Sequence, residues 1–82
     1  MKTLKGKEAL EAVKRDGMTL QFIKEQTPEI CLEAVKRDER ALAYVKEQTP
    51  EICITAVQNT LDAIVFVEKE FLKDVNYYGI FN

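Results

Sequence analysis

The chain has no histidine and no serine among its 82 residues. Histidine is the commonest general base and metal ligand in proteins, and serine is a common nucleophile. Acidic side chains are plentiful, but the carboxylates considered as catalytic acids or bases fall on faces predicted to be solvated. Acid–base catalysis usually needs such a group in a cleft. Those candidates are Glu25, Glu33, Glu47 and Glu68. We therefore expect a protein that is not an enzyme and that uses no metal or cofactor.

Long apolar segments are also missing. The longest uninterrupted apolar run is AIVFV at residues 63–67, whereas a membrane-spanning helix needs about 20 such residues. The first residues, MKTLKGKEALEAV, carry positive charge but lack the apolar core of a secretory signal. Two unpaired thiols favour a reducing compartment. These observations predict a cytoplasmic protein that does not enter a membrane.

No strong excess of either charge is present, since the formal net charge is −2. This near balance argues against a general nucleic-acid binder, which would show a concentrated basic field. Basic pairs do recur at residues 14–15 and 36–37, and Arg40 follows the second pair. An aspartate follows each pair and weakens its local field. The simplest interpretation of these pairs is solubility and a favourable interaction with helix C-termini, with contact to an acidic protein or a phosphate backbone as the alternative.

The most prominent feature that is present is an internal repeat. Residues 10–26 match residues 32–48 at 11 of 17 positions, and residues 49–67 restart the same pattern, so the copies are 22 residues apart. A fixed period of this size indicates stacked supersecondary units. We assign copies to about residues 5–26, 27–48 and 49–70, with residues 71–82 as a C-terminal cap or tail of one single domain.

Each full copy carries the signals of two short helices. Thr27 is a suitable N-cap, Pro28 occupies the first helical position, and apolar residues follow at helical spacing to about Lys36. Asp38 is placed to begin a second α-helix that ends near Gln48. Its predicted apolar face is Ala41, Leu42, Tyr44 and Val45, with Leu20, Phe22, Ile23 and Ile64, Phe66, Val67 in the other copies. The fold class predicted is all-α, with three stacked helix-turn-helix repeats and a longer last helix over about residues 60–75.

The pattern TPEICLEAVKRD…ALAYV at residues 27–45 resembles a bacterial family of tandem helical repeats that is classed only as a domain of unknown function. The resemblance covers about residues 8–67 and departs from the family pattern after Gln58. It implies stacked short helices and no assigned activity. It supplies no catalytic residue.

Cys31 and Cys53 occupy equivalent places in their copies. A redox or metal pair is one interpretation, but zinc would need further thiolates or histidines at close spacing. A disulfide would need the Cα atoms within about 7 Å, whereas equivalent points on successive helix pairs are expected about 10 Å apart. We expect both residues to be small buried hydrophobes, which is the usual environment of free cysteine.

Repeat architectures mostly serve as scaffolds for contact, so the leading hypothesis is a protein-interaction module that acts by occlusion or bridging. A chain this small also fits a stoichiometric inhibitor, such as a phage-encoded antagonist of a bacterial defence enzyme. No motif supports that narrower idea. The residues predicted to contact a protein partner are Arg37, Arg40, Tyr77, Tyr78 and Phe81. The alternatives are a nucleic-acid binder that uses the basic pairs and a structural unit that self-assembles, for example as a homodimer, through apolar ends of the stack.

Overall fold

A computed structural model describes the backbone of residues 5–77, and every regular element in that range is a helix. Ten-residue α-helices alternate with six-residue 3-10 helices, and the pairs recur every 22 residues. The prediction of an all-α fold built from helix pairs is confirmed. In chain order the elements are α1 Gly6–Arg15, η1 Gly17–Phe22, α2 Pro28–Arg37, η2 Glu39–Tyr44, α3 Pro50–Asn59, η3 Leu61–Phe66, η4 Lys69–Phe71 and α4 Leu72–Tyr77, where η marks a 3-10 helix.

The starts of α2 and α3 are set by the sequence signals expected of them. The Thr27 hydroxyl accepts a hydrogen bond from the Ile30 amide at 3.2 Å, and Thr49 does the same for Ile52. Both threonines have extended backbone, and a proline follows at the first helical position. Because the side-chain oxygen satisfies an amide that has no partner inside the helix, each cap stabilises its helix by about 1 kcal/mol.

The second helix of each pair differs from the prediction. It is a 3-10 helix rather than an α-helix, and η2 ends at Tyr44 instead of near Gln48. A 3-10 helix has three residues per turn, so residues three apart point the same way. Leu42 and Val45, three residues apart, are both buried. Tyr44 is 41% exposed although Ala41, three residues before it, is fully buried, so the period alone does not set its position. Placing Tyr44 and Phe22 on the buried face was wrong, since Phe22 is 70% exposed.

The long C-terminal helix predicted over residues 60–75 is also absent. The chain forms η3, passes through an extended residue at Val67, forms η4, and then begins α4 at Leu72. The starts of α2, α3 and α4 at residues 28, 50 and 72 keep the 22-residue period. The described part of α4 thus begins a fourth unit, although neither Thr nor Pro stands at its start.

Equivalent positions of successive units form the core. Each α-helix packs against the α-helix of the neighbouring unit, and α2 and α3 also pack against the 3-10 helix of the unit before them. The fold is elongated, with principal extents of 46 × 21 × 17 Å. The buried rows that run along it are Ala9, Cys31, Cys53 and Val75; Ala12, Ala34 and Ala56; Val13, Val35 and Val57; and Ile23, Val45 and Val67.

Close approach between the first two units depends on Gly17, the first residue of η1. A Cβ atom built at Gly17 would overlap the Ala34 carbonyl oxygen of α2 and lie 3.1 Å from the Asp38 Cβ. The obstacle is backbone, so it cannot move aside as a flexible side chain would. The second and third units carry Glu39 and Leu61 at this position, so glycine is particular to the first unit.

We predict that Gly17→Ala lowers the free energy of unfolding by about 1–3 kcal/mol, the usual range for overpacking a close contact. Urea denaturation followed by circular dichroism measures the change. Gln21→Ala is the matched control, because Gln21 is an exposed residue of the same 3-10 helix. Equal stability of Gly17→Ala and the control would contradict the close contact.

Candidate interaction surface

Gln26 joins the first unit to the second through its side-chain amide. Its Nε2 donates to the Tyr44 carbonyl at 2.8 Å, and its Oε1 accepts from the Lys46 amide at 2.9 Å. The amide therefore pairs with the backbone on both sides of Val45, as a neighbouring strand would. Longer contacts from Nε2 reach the Leu20 and Ile23 carbonyls at 3.5 and 3.4 Å, which ties the same side chain to its own unit.

Gln48 repeats this arrangement between the second and third units. Its Nε2 donates to the Phe66 carbonyl at 2.8 Å, and its Oε1 accepts from the Glu68 amide at 2.9 Å. Gln48 is buried, with 9% of its surface exposed. We call these two side chains, Gln26 and Gln48, the glutamine bridges. The interruption of the predicted last helix coincides with the second bridge, because the Phe66 carbonyl and the Glu68 amide on either side of Val67 both bond to Gln48.

A cysteine thiol also contacts the side-chain oxygen of each glutamine bridge. The Sγ atom of Cys31 lies 3.5 Å from the Gln26 Oε1, and that of Cys53 lies 3.2 Å from the Gln48 Oε1. Both thiols are free and buried, as predicted. Burial raises the pKa of Cys31 and of Cys53 to about 11, with Glu68 and Asp74 adding to the effect at Cys53. Neutral thiols with such values are poor nucleophiles and poor metal ligands at neutral pH.

An aromatic residue recurs at the same position of each unit, and in two of the units a glutamine bridge binds its backbone carbonyl. Phe22, Tyr44 and Phe66 are the last residues of η1, η2 and η3, and we call them the aromatic row. Gln26 binds the carbonyl of Tyr44, and Gln48 binds that of Phe66. Phe22 is 70% exposed, Tyr44 is 41% exposed and Phe66 is half-buried. Large aromatic side chains therefore meet solvent once per unit along the stack.

Arg37 and Arg40 are both exposed, near the C-terminal end of α2. Arg40 is already paired: its Nε and one terminal nitrogen donate to the Asp38 carboxylate at 3.0 and 2.7 Å. This contact holds the pKa of Asp38 below its usual value. Asn59 replaces arginine in the third unit and donates to the Val35 and Lys36 carbonyls, so the basic positions do not continue along the stack.

The aromatic tail predicted to contact a partner falls largely outside the described range. Tyr77 is the last residue of α4, and its side chain is not described. Tyr78 and Phe81 lie outside the described residues. The structure therefore places two of the five predicted contact residues, Arg37 and Arg40, as exposed side chains at one turn.

Two of the concave regions on the described surface lie where successive units meet. The first has a volume of about 270 Å³ and is formed where the two copies of the sequence KEQTP run side by side, with Cys31 and Ile52 among its lining residues. The second is a groove of about 430 Å³ between η2 and η3, lined on its apolar side by Leu61, Ile64, Val65 and Phe66. No group of three or more acidic, cysteine or histidine side chains suited to a metal occurs among the described residues. None of the described helices is long and apolar enough to cross a membrane.

Residues 9–49, half of the chain, match a family of domains of unknown function, DUF4116. The chain belongs to the DUF4116 family. Comparisons with curated proteins and with solved structures find no match. The family assignment therefore agrees with the resemblance seen in the sequence and adds no activity.

The DUF4116 match contains most of the contacts and exposed aromatic residues described above. It runs from α1 to the cap of α3, so it includes both glutamine bridges, Phe22 and Tyr44. The role of Gln26 and Gln48 was missed from the sequence. The available signal was the segment KEQTP, which is identical at residues 24–28 and 46–50 although the aromatic residues before it vary. Glu70 stands at the third equivalent position and is exposed, so no described bridge follows Gln48.

We predict that Gln48→Ala destabilises the protein by about 2–3 kcal/mol, because the Phe66 carbonyl and the Glu68 amide both lose a partner in a part-buried site. Gln26→Ala should have a smaller effect, since Gln26 is more exposed. Chemical denaturation measures both, and Gln58→Ala on the exposed face of α3 is the control. If Gln48→Ala matches Gln58→Ala in stability, the glutamine bridge is not a significant contact.

The raised thiol pKa values predict a loss of stability in alkali. An unfolded cysteine ionises near pH 9, whereas the folded thiols resist ionisation up to about pH 11. Ionisation therefore favours the unfolded chain, and the stabilising effect that is complete below pH 9 is lost as the pH rises toward 11.

Denaturation midpoints measured from pH 7 to 11 test this expectation. The variant Cys31→Val/Cys53→Val keeps apolar side chains at both places, as Val75 does in the fourth unit, and should lose less stability over that range. An equally steep decline in the variant would contradict the assignment. In the native protein at pH 8, a thiol reagent should react slowly until denaturant is added.

Proposed function

We propose that this DUF4116 protein is a non-enzymatic protein–protein interaction module that presents its aromatic row to a protein partner. The observation that carries the proposal is the exposure of Phe22 and Tyr44, the second of which has its backbone carbonyl bound by Gln26. Aromatic residues are enriched in protein interfaces and among the residues that contribute most to binding. A large phenyl ring with 70% of its surface in water is a hydrophobic group that a partner would bury.

Preorganisation supports the same proposal. The carbonyl of Tyr44 is bound by Gln26, so the segment that carries this side chain is attached to two units of the stack. A surface that is already ordered loses little conformational entropy when it binds, which leaves more of the contact energy for affinity. Binding by a preformed surface would act by occlusion of a partner's site or by bridging two partners.

The basic residues contribute at the edge of this surface rather than at its centre. Arg40 is exposed and paired with Asp38, and Lys36 lies 3.8 Å from Glu33. Exposed ion pairs of this kind contribute little to stability, and edge charges mainly affect association rate and orientation. We therefore retain Arg37 and Arg40 as secondary contacts. Tyr77, Tyr78 and Phe81 remain a predicted part of the partner-binding surface.

A narrower form of the proposal is a small stoichiometric inhibitor, such as a phage-encoded antagonist of a bacterial defence enzyme. Support for it comes from the absence of histidine and serine in the sequence and from an exposed aromatic surface suited to occlusion. Nucleic-acid binding is the weaker alternative, because carboxylates already pair with Arg40 and Lys36 and because Asn59 ends the basic series. That alternative would be recognised by binding that weakens steeply with salt.

We expect Phe22→Ala/Tyr44→Ala to weaken binding to a purified partner by about 10- to 100-fold, the usual effect of removing aromatic contacts of this size. A photo-crosslinking residue at position 22 identifies the partner in a lysate of the source cells. Titration calorimetry with both purified proteins then gives the affinity and the stoichiometry, which should be 1:1 for a stoichiometric inhibitor.

The control variant is Gln21→Ala/Ala43→Ser, which alters the exposed residue immediately before each aromatic side chain. It should bind as the unaltered protein does. Tyr77→Ala/Tyr78→Ala tests the predicted contribution of the tail separately. Unchanged affinity of Phe22→Ala/Tyr44→Ala, with its circular dichroism spectrum intact, would show that the aromatic row is not the binding surface.

A further inference from the structure

The aromatic row forms a line along the stack. Phe22, Tyr44 and Phe66 occupy equivalent positions of successive units, and each is the last residue of its 3-10 helix. The helix η1 packs against η2, and η2 packs against η3, so the three helix ends lie side by side. Because neighbouring helices pack with their axes about 8–10 Å apart, the row presents one aromatic residue at each step of that length.

The glutamine bridges maintain this spacing. The Nε2 atom of Gln26 contacts the Ile23 carbonyl at 3.4 Å and the Tyr44 carbonyl at 2.8 Å, and these two carbonyls belong to successive units. The Nε2 atom of Gln48 contacts the Leu42 and Phe66 carbonyls at 3.4 and 2.8 Å. The C-terminal parts of successive 3-10 helices are thus joined through one nitrogen atom, which keeps the row at the spacing of directly packed helices.

The row lies in a narrow strip without charge. The residue immediately before the aromatic residue is exposed and uncharged in each of these units: Gln21, Ala43 and Val65. We call these residues and the aromatic row together the uncharged strip. In the second and third units exposed charges precede the strip at Arg40 and Asp62 and follow it at Lys46 and Glu68. An α-helix, about 10–12 Å across, would cover these charges, whereas an extended peptide is narrow enough to contact the uncharged strip alone.

A polyproline II helix matches the step of the row. It has three residues per turn and rises about 3.1 Å per residue, so side chains of one face recur about every 9 Å. A β-strand repeats the side chains of one face about every 7 Å, which is shorter than the step between packed helices. A peptide with proline at every third position would therefore place one proline ring beside each member of the aromatic row. Such a peptide is already extended before it binds, so it loses little conformational entropy.

Hydrogen-bond donors for such a peptide are present in the uncharged strip. A polyproline II chain makes no internal hydrogen bonds, so its carbonyl groups accept from outside the chain. Tyr44 carries a hydroxyl and Gln21 a primary amide, and both residues are exposed. The strip therefore combines aromatic surface for proline rings with polar groups for the peptide backbone.

Charge at one end of the strip favours one direction of the peptide. The groove between η2 and η3 is lined by the carboxylates of Glu39 and Asp62 and by the guanidinium of Arg40, beside Phe66. Arg40 already pairs with the Asp38 carboxylate at 3.0 and 2.7 Å. The groove therefore keeps an excess of negative charge, which a basic residue of the peptide would complement.

We propose that the uncharged strip binds a proline-rich segment of a partner protein in the polyproline II conformation, with a basic residue of that segment beside Asp62. This assignment rests on the function proposed above, since it specifies the chemistry of the partner that the aromatic row binds. It commits the surface to one class of ligand, so the two proposals can fail separately.

Titration of the isotope-labelled full chain with a synthetic peptide, followed by NMR chemical shifts, tests the assignment. The probe is arginine followed by four Ala-Pro-Pro triplets, and the comparison peptide replaces every proline with alanine or glutamine. We expect the proline peptide to shift the amide signals of residues 22, 44 and 66 and to bind at least about 10-fold more tightly than the comparison peptide. Tyr44→Ala should weaken this binding by about 10-fold or more.

Two further variants test the details of the site. Glu11→Gln alters an exposed residue of α1 and should bind the proline peptide as the unaltered protein does. Asp62→Asn should weaken binding of the proline peptide but should not affect the same peptide made without its arginine. An equal effect of Asp62→Asn on both peptides would contradict the direction assigned to the segment.

Equal binding of the two peptides, or no shift up to about 5 mM of the proline peptide, would overturn the assignment. Shifts confined to residues away from the uncharged strip would overturn it as well. These results leave the function proposed above intact, because that function fails only if Phe22→Ala/Tyr44→Ala binds the cross-linked partner as tightly as the unaltered protein does.

Discussion

The pairing of a glutamine side chain with the backbone of the next unit is the contact on which the rest of this structure depends. The 3-10 and α-helices of each unit are only six and ten residues long, and helices this short are marginal on their own. Side-chain packing fills the space between units, but packing alone does not specify how the non-helical segments pass one another. Gln26 and Gln48 provide that specification, because a primary amide offers a donor and an acceptor at the spacing of two backbone groups. The thiol of a buried cysteine also lies within hydrogen-bonding distance of each amide oxygen.

This contact also links stability to the surface. The glutamine bridges bind the carbonyls of Tyr44 and Phe66, the last residues of two 3-10 helices, and the residue that follows each of them is buried in the core. The aromatic side chain at the helix end keeps contact with solvent. Each bridged unit thus ends its 3-10 helix with an aromatic residue that contacts solvent. The residue type at this position varies between phenylalanine and tyrosine. Phenylalanine and tyrosine alternate at this position while the KEQTP segment is unchanged.

The units have similar core residues, but the first and third units differ in opposite ways at their surfaces. The first unit replaces a buried isoleucine by Glu8 and opens with an α-helix that lacks a side-chain cap. The third unit gains Leu61 and Val65 at exposed positions. Terminal units of repeat proteins are expected to be more polar than internal ones. The described part of the first unit follows that expectation at Glu8, whereas the third unit departs from it at Leu61 and Val65.

The sequence by itself determined the period, the α-helices and most of the buried residues. Threonine caps followed by proline are local signals, and the rows of alanine, valine and cysteine follow from helical spacing within one unit. The resemblance to a domain of unknown function, which was strongest at residues 27–45, was also visible in the sequence and agrees with the DUF4116 match at residues 9–49. Tertiary structure decided the type and length of the second helix, the interruption at Val67 and the outward position of Phe22 and Tyr44. In the second and third units these features accompany hydrogen bonds between residues 18 to 20 apart. Local propensity favours continued α-helix there, but a side chain from the preceding unit occupies the backbone groups that the α-helix would have used.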